Sequence, residues 1–313
     1  MCKILIAAGR VFEDGVSILL LIGGSASDVL ALKVAREMGI SISKLQIKKF
    51  PDGEKYVRIL DDVKGNDIVV IQSMYRLPDE HLFEYFLLVK ALKDLGAKRV
   101  IGVIPYFAYA RQDKRFNPGE AISFQTVNRL IENVGTDELF TVDTHLHRVD
   151  DISKVFRIPA HNLSVVPSLT QYVKQNYTLN RPLVIAPDEE AEQWAKISSE
   201  ILNSEYDVLE KIRLGPDKVE IKTRLLSVRD RDVIVVDDII STGGTMVETV
   251  KILRHYGANK VIVMCAHPLL IGDSYARILD AGAEAIIGSD TVPSPVSFVS
   301  AAPVIAEALK KAL

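Results

Sequence analysis

The chain has 313 residues, 48% of them hydrophobic and 25% charged, and its 38 basic and 41 acidic side chains leave a net charge of −3. This composition is typical of a globular protein long enough for two domains, and it excludes a strong overall field for recruiting nucleic acid or an anionic membrane. The two cysteines, Cys2 and Cys265, are too few for a disulfide framework or a thiolate metal cluster. The longest early apolar run, residues 18–22, is too short for a membrane span or a signal peptide, so we expect a cytoplasmic protein.

The first half of the chain alternates predicted strands with predicted helices. Gly39 and Gly96 mark helix ends, and Pro105 ends a strand. The predicted strands are 18–22, 45–50, 68–72, 99–104 and 139–142, and the predicted helices are one capped by Ser27 or Asp28 and ending at Met38, one at about 79–95 and one at about 121–133. Residues 1–17 carry no pattern that distinguishes an extra strand from an irregular extension.

After a polar stretch the alternation restarts. The predicted strands are 183–186, 207–209, 233–236, 260–265 and 285–287, and the predicted helices are 190–202, one ending at Gly257, 274–279 and 303–312. GAKRVI at residues 96–101 is echoed by GANKVI at residues 257–262, about half the chain later. The sequence therefore predicts an α/β protein of two similar doubly wound, mainly parallel-sheet domains that divide near residues 162–167.

The most specific pattern lies within DVIVVDDIISTGGTMVET, residues 232–249. Four β-branched residues predict a buried strand, and Asp237 and Asp238 stand at its predicted end. The next residues are small and hydroxylated and open a helix: Ser241, Thr242, Gly243, Gly244 and Thr245. Such a loop lets backbone amides and a helix N-terminus bind a phosphate, and the acidic pair can accept hydrogen bonds from ribose hydroxyls. An ordinary βα turn is the alternative. It is disfavoured because two adjacent exposed carboxylates repel each other and bring no structural benefit to such a turn.

Four further stretches follow predicted strands. FPDGE at residues 50–54 is a turn when judged alone. PYFAYARQDKR at residues 105–115 combines aromatic rings able to pack on a base with three cations able to hold polyphosphate, whereas a solvated loop would not explain the rings. DTHLHR at residues 143–148 is a weak zinc pattern and a better hard-metal pattern. PDEE at residues 187–190 concentrates acids where a helix dipole also favours them.

Lys211 and Arg213 stand two residues apart in an extended segment, so both cations point to one face. Basic residues on an edge strand usually improve solubility. The sequence of this segment alone therefore leaves their role open.

Taken together and in order, FPDGE, PYFAYARQDK, the DTH cluster, the strand-ending PD and VDDIISTGGT resemble the ribose-phosphate pyrophosphokinases, or phosphoribosyl-pyrophosphate (PRPP) synthetases. The resemblance spans residues 18–292, and the form of the motifs is most similar to archaeal members. It implies transfer of the β,γ-diphosphoryl group of MgATP to the anomeric hydroxyl of ribose 5-phosphate, giving PRPP and AMP for nucleotide biosynthesis.

The resemblance also implies roles for individual residues. ATP would be bound by Phe50, Asp52, Glu54, Arg111, Gln112 and Asp113, with the first three acting partly across a subunit interface. Mg²⁺ would be held by His145 and Asp188, and Lys211 and Arg213 would be the catalytic pair on a flap. Asp237 and Asp238 would meet the ribose hydroxyls, and residues 241–245 would bind the 5-phosphate.

The resemblance also implies two domains. One binds ATP and comprises residues 1–163 joined by the C-terminal helix 300–313, and the other binds ribose 5-phosphate and comprises residues 164–299. The implied assembly is at least a dimer.

Some positions depart from the family pattern. Many members carry Asp where this chain has Ser241, which puts a metal-mediated role there in doubt. Glu189 and Glu190 replace small residues and glycines, and His147 and Arg148 have no assigned role. Two rival functions remain: a PRPP-consuming phosphoribosyltransferase, which leaves FPDGE and YARQDK unused, and a catalytically silent regulatory subunit, which the retained His145, Asp188, Lys211 and Arg213 disfavour.

Overall fold

The computed structural model describes residues 19–146, 151–215, 218–223 and 228–313. The chain divides into two compact units, an N-terminal unit of residues 1–163 with 301–313 and a C-terminal unit of residues 164–300. Each unit is built on a mainly parallel sheet with flanking helices, which confirms the predicted fold class. No helix in the described part of the chain is both long and apolar enough to span a bilayer.

The N-terminal unit contains a five-stranded parallel sheet in the order β1-β4-β5-β6-β7. Its elements are β1 (Leu19–Gly23), α1 (Asp28–Met38), β2 (Leu45–Lys49), β3 (Lys55–Ile59), β4 (Asp67–Ile71), α2 (Pro78–Asp94), β5 (Arg99–Ile104), α3 (Ser123–Asn133), β6 (Glu138–Val142) and β7 (Ala160–Leu163). The central strands are continuous apolar runs and are almost completely buried, as parallel strands covered on both faces must be.

Strands β2 and β3 form a separate two-stranded antiparallel hairpin in which Lys49 is paired with Lys55. The sequence analysis predicted β2 but not β3. The residues of β3, KYVRI, alternate half-buried apolar and basic side chains, and such a strand lacks the apolar run that identified the central strands. FPDGE is the turn of this hairpin.

The C-terminal unit contains a seven-stranded sheet in the order β10-β9-β8-β11-β12-β13-β14, parallel except for the antiparallel pair β9–β10. Its elements are α4 (Val166–Asn176), β8 (Leu183–Ala186), α5 (Glu192–Leu202), β9 (Glu205–Gly215), β10 (Lys218–Thr223), β11 (Asp232–Ile240), α6 (Gly244–His255), β12 (Lys260–Pro268), α7 (Ser274–Asp280), β13 (Ala285–Ser289) and β14 (Ser297–Val299). The chain then enters α8 (Ala302–Ala312), which packs on α1 in the N-terminal unit.

Strand β11 is longer than predicted. It continues past Val236 to Ile240 because it stays paired with β12 on one side, up to the pair Ile240 and Pro268. On its other side, pairing with β8 covers only residues 233–235. Asp237 and Asp238 therefore lie on a strand that has lost one neighbour, rather than beyond its end.

Candidate active site

The predicted site residues divide between the two units, and each group is described within its own unit. His145 and the predicted ATP contacts lie in the N-terminal unit. Asp188, the basic pair and the predicted phosphate loop lie in the C-terminal unit. Two residues without an assigned role, His147 and Arg148, lie outside the described residues.

Three carboxylates come together in the C-terminal unit. Asp238 is 2% exposed, whereas Asp237 is half-buried and accepts a hydrogen bond from the Asp238 amide at 2.9 Å. Burial raises the pKa of Asp237 well above its usual range, and the negative charges of Asp238 and Asp188 raise it further. The acidic pair is thus closely crowded, and a cation or a set of hydroxyl donors would relieve that crowding.

The loop between β11 and α6 is fixed through its carbonyl groups. The Ser241 carbonyl accepts from the Ile271 amide at 3.0 Å, and the Thr242 carbonyl accepts from Arg277 Nη2 at 2.5 Å. Arg277 is in turn held by Asp273 at 2.8 Å. The sequence analysis missed Arg277 because it lies on α7, far along the chain, and carries no motif.

The two glycines of this loop differ in their surroundings. Gly243 adopts φ 76°, and a Cβ there would lie 3.0 Å from the Cβ of Ser274. Gly244 is the first residue of α6, and a Cβ there would meet nothing within 4 Å. Gly243 is therefore required by the backbone, whereas the open space at Gly244 lets a ligand approach the helix N-terminus.

Asp188 lies two residues after the end of β8, in line with its predicted place at a strand end. Its carboxylate accepts hydrogen bonds from the amides of Glu190 at 3.1 Å and Ala191 at 3.2 Å, and so caps a short 3₁₀ turn before α5. Glu189 and Glu190 are exposed. Among the residues that the structure describes, no group of three or more His, Cys, Asp or Glu side chains is arranged to hold a metal ion by itself.

Lys211 and Arg213 lie on β9, opposite Ile221 and Val219 of β10. This antiparallel pair forms the edge of the seven-stranded sheet. The side chains of residues 210–223 lie outside the described part of the structure. Their catalytic role stays a prediction.

In the N-terminal unit, the FPDGE turn presents Phe50, Asp52 and Glu54 to solvent. The turn is closed by a hydrogen bond from the Phe50 amide to the Glu54 carbonyl at 2.8 Å. The Phe50 ring is 50% exposed and packs edge-on against Tyr56 at 5.9 Å. The turn thus exposes an aromatic ring and two carboxylates, and their role in ATP binding stays a prediction.

The loop after β5 corrects one expectation. Phe107 is not available to pack on a base, because it is 3% exposed and lies edge-on against Phe124 and Phe156 in the core. Tyr106 and Tyr109 also pack against this core, and the Tyr109 hydroxyl donates to Asp79 on α2. The aromatic residues of this stretch therefore anchor the loop and leave the polar residues that follow at the surface.

Those polar residues are organised by Glu120, which the sequence analysis did not identify. Its carboxylate accepts from the amides of Phe116 at 2.7 Å and Asn117 at 3.0 Å, and from Gln112 Nε2 at 3.1 Å. The side chain and amide of Asn117 contribute most to lowering the pKa of Glu120 to about 2. Glu120 is therefore charged near neutral pH and positions Gln112, while Arg111 is exposed beside it.

The DTH cluster follows β6 and is tied to β7. Asp143 is 2% exposed with φ 37°, and its amide donates to the Leu163 carbonyl at 2.7 Å. The Thr144 amide donates to Asn162 Oδ1 at 3.0 Å. His145 is half-buried immediately after these anchored residues. The local backbone is thus fixed where the predicted metal ligand begins.

Comparison with known proteins decides the family. One family model, the N-terminal domain of ribose phosphate pyrophosphokinase, matches residues 19–135, and a second, the phosphoribosyl transferase domain, matches residues 154–279. The ribose-phosphate pyrophosphokinase of Methanothermobacter thermautotrophicus is 42% identical over 291 residues, which cover 93% of this chain and 100% of the relative. The chain belongs to the ribose-phosphate pyrophosphokinase family.

Other members support the same assignment. The ribose-phosphate pyrophosphokinase of Methanobrevibacter smithii is also 42% identical, and the match covers 93% of this chain and 100% of the relative. A crystal structure of phosphoribosylpyrophosphate synthetase from Mycobacterium smegmatis superimposes with a TM-score of 0.85 at 30% identity, covering 94% of this chain and 98% of that one. The predicted family, its archaeal character and its enzyme class, ribose-phosphate diphosphokinase, are confirmed.

Proposed function

We propose that this family member performs its diphosphoryl transfer with ATP bound mainly by the N-terminal unit and ribose 5-phosphate bound by residues 164–299 of the C-terminal unit. The observation that carries the proposal is the β11–α6 segment, where two crowded carboxylates on the strand are followed, six residues after the second, by an open glycine at the helix N-terminus. Acidic groups beside an anion site fit a ligand that carries both hydroxyls and a phosphate.

The ribose-5-phosphate site consists of the acidic pair and the loop residues. Asp237 and Asp238 accept hydrogen bonds from ribose hydroxyls, which would relieve part of the repulsion that raises the pKa of Asp237. Residues 241–245 surround the 5-phosphate with amides and hydroxyls. Ser241 contributes a hydrogen bond and no charge, so its role does not require a metal.

The ATP site draws on the surface residues of the N-terminal unit. Phe50, Asp52 and Glu54 contact adenine and ribose from the hairpin turn. Arg111 meets the phosphates, because it is exposed and its guanidinium can bind phosphate oxygens in a fork. Gln112 and Asp113 complete this group, with Glu120 holding the Gln112 amide.

Magnesium suits the donor set. Carboxylate oxygens are ligands for hard cations, and a divalent cation near Asp188 would offset the negative charge that this residue and its neighbours concentrate on Asp237. His145 of the N-terminal unit and Asp188 of the C-terminal unit are each assigned as a magnesium ligand, with substrate phosphates and water as the remaining ligands. When bound, magnesium would neutralise charge on the phosphate oxygens.

The reaction then needs alignment more than covalent help from the protein. The anomeric hydroxyl of ribose 5-phosphate attacks the β-phosphorus of ATP, the bond from that phosphorus to the α,β-bridging oxygen breaks, and AMP leaves. Lys211 and Arg213 meet the negative charge on the transferred group, and a flap that carries them would exclude water.

The hairpin turn also suggests an assembly. A half-exposed phenylalanine beside two exposed carboxylates suits a surface that completes a nucleotide site on a neighbouring subunit. We therefore expect at least a homodimer.

The test is AMP formation from ATP and Mg²⁺ with and without ribose 5-phosphate, on the wild type and on Lys211→Ala. We expect AMP to depend on ribose 5-phosphate and kcat to fall roughly 10³-fold in the variant, by analogy with arginine fingers. Lys196→Ala, an exposed lysine on α5, is the matched control and should retain full activity. No AMP from folded wild-type protein would refute the proposal and favour a silent subunit or a PRPP-consuming transferase.

A further inference from the structure

We propose that Glu84, a buried glutamate on α2, is a positioning residue that fixes the FPDGE turn and thereby sets ATP affinity. The inference rests on the proposed function for the identity of the ligand. The link that it describes, from α2 to the hairpin, stands on the contacts of the N-terminal unit alone.

Glu84 is completely buried, and four donors converge on its carboxylate. Oε1 accepts from the Ser25 amide at 2.8 Å and from Gln72 Nε2 at 2.8 Å. Oε2 accepts from Ser25 Oγ at 2.7 Å and from Lys55 Nζ at 2.6 Å. A buried carboxylate must be compensated in this way, and here the donors come from three separate segments: the loop after β1, the end of β4, and β3.

Lys55 connects this network to the turn. It directly follows Glu54, and its side chain is only 9% exposed, so its ammonium group is fixed on Glu84 rather than free in solvent. The preceding residue, Glu54, is one that we assign to ATP binding. Any displacement of Lys55 therefore shifts the turn itself.

The two strands of the hairpin share no backbone pairing with the five-stranded sheet, and the link to β1 lies just before β2, where the Ser43 amide donates to the Leu21 carbonyl at 2.8 Å. Beyond that link, the hairpin is positioned by side-chain contacts. Leu45, Val57 and Ile59 of the hairpin pack against the core of the unit. Nearer the tip, each strand extends a lysine to α2: Lys55 to Glu84, and Lys49 to Glu80 at 2.6 Å.

These two ion pairs form a natural comparison. Glu80 and Glu84 lie one helical turn apart, and Lys49 and Lys55 are paired neighbours in the hairpin. The Lys49–Glu80 pair has side chains 47% and 35% exposed, and exposed pairs contribute little. The Lys55–Glu84 pair is buried, and loss of one partner leaves an uncompensated charge that must move to water.

The experiment compares Glu84→Gln and Lys55→Gln with Lys49→Gln, which removes only the exposed pair. Glu80 is not a clean control, because Lys55 Nζ also lies 3.8 Å from its carboxylate. Lys55→Gln is the second route to the same loss: Glu84 keeps three of its four donors but loses the ammonium group that balances its charge. We expect both test variants to raise KM for ATP at least 10-fold, with KM for ribose 5-phosphate and kcat within about threefold of wild type. Lys49→Gln should stay within twofold in all three. A purely structural role would instead lower the active fraction and leave KM for ATP unchanged, which would overturn the inference.

Hydrogen exchange without substrates gives a readout independent of activity. Amides of residues 45–59 should exchange at least fivefold faster in Glu84→Gln and Lys55→Gln than in the wild type, and those of β8 and α5 should not change. Unchanged exchange in the hairpin would overturn the inference even if the wild type is active. A wild type that forms no AMP would reject the proposed function and leave the exchange result to decide whether Glu84 holds the hairpin.

Discussion

At the scale of single residues, the candidate site concentrates electrostatic strain on Asp237. Burial and the charges of Asp238 and Asp188 raise its pKa well above the usual range. An acid whose pKa is raised in the folded state destabilises that state at pH values above the pKa of the unfolded chain, roughly 4. The strain has a functional reason if ribose hydroxyls or a cation relieve it on binding.

We therefore expect Asp237→Asn to make the ligand-free protein more stable and less active. Near neutral pH its melting temperature should rise by a few degrees, corresponding to about 1 kcal/mol, and the gain should vanish as the pH falls below about 4, where Asp237 is also protonated in the unfolded chain. KM for ribose 5-phosphate should rise at least 10-fold. Thermal unfolding at several pH values and steady-state kinetics measure both effects, with the exposed Asp280→Asn as control. A lower melting temperature at pH 7 would contradict this account.

Which residues the sequence could reveal depends on how locally they act. The Asp237–Asp238 pair was predictable because strand, acids, hydroxyls and glycines follow one another in the chain. The roles of Glu84, Glu120 and Arg277 could not be predicted from the sequence. Their partners are in other segments of the chain or are backbone amides and carbonyls, which leave no sequence pattern. The burial of Phe107 was missed for the same reason, since its partners Phe124 and Phe156 are distant in sequence.

At the scale of elements, the β11–α6 turn separates two uses of glycine. Gly243 is needed for a backbone with φ 76° and for close contact with α7, whereas Gly244 faces open space at the start of a helix. A side chain added at Gly244 would therefore affect ligand binding but not the stability of the fold, whereas one added at Gly243 would affect stability.

Gly243→Ala and Gly244→Ala should therefore differ in kind. Alanine at 243 should destabilise the protein by about 1–2 kcal/mol, because it combines a left-handed backbone with a close contact. Alanine at 244 should leave the melting temperature unchanged or slightly higher, yet raise KM for ribose 5-phosphate by restricting the approach of the phosphate to the helix N-terminus. Thermal unfolding and kinetics test both variants. Equal loss of stability in the two, or an unchanged KM in Gly244→Ala, would contradict the assignment.

Elements with a continuous apolar run were predicted well, and half-exposed elements were not. The bounds of β5 and β8 agree with the prediction, because buried parallel strands leave an unambiguous apolar signal. The strands β3, β7, β10 and β14 were not predicted: each is short, polar or at an edge, and its identity depends on pairing with a partner. Helix α4 was hidden in a polar stretch, with its buried face reduced to Val166, Leu169, Thr170 and Val173.

At the scale of the whole molecule, the chain repeats one architectural plan. The echoed segments occupy equivalent places: Gly96 and Gly257 follow α2 and α6 with φ 87° and 88°, and each leads into a strand inside its sheet, β5 or β12. The boundary between the units lies between Leu163 and Ser164. With a net charge of −3, neither substrate can be attracted by an overall positive field, so local loops must bind both anions.

The measurement that tests the central claim most directly is ³¹P NMR of the products formed from ATP, Mg²⁺ and ribose 5-phosphate. Transfer of the β,γ-diphosphoryl group predicts that AMP and PRPP accumulate one for one, with the diphosphate resonances of PRPP replacing those of the ATP β- and γ-phosphates. Accumulation of ADP would mean that only the terminal phosphoryl group is transferred. That result, or free pyrophosphate formed without ribose 5-phosphate, would contradict the account.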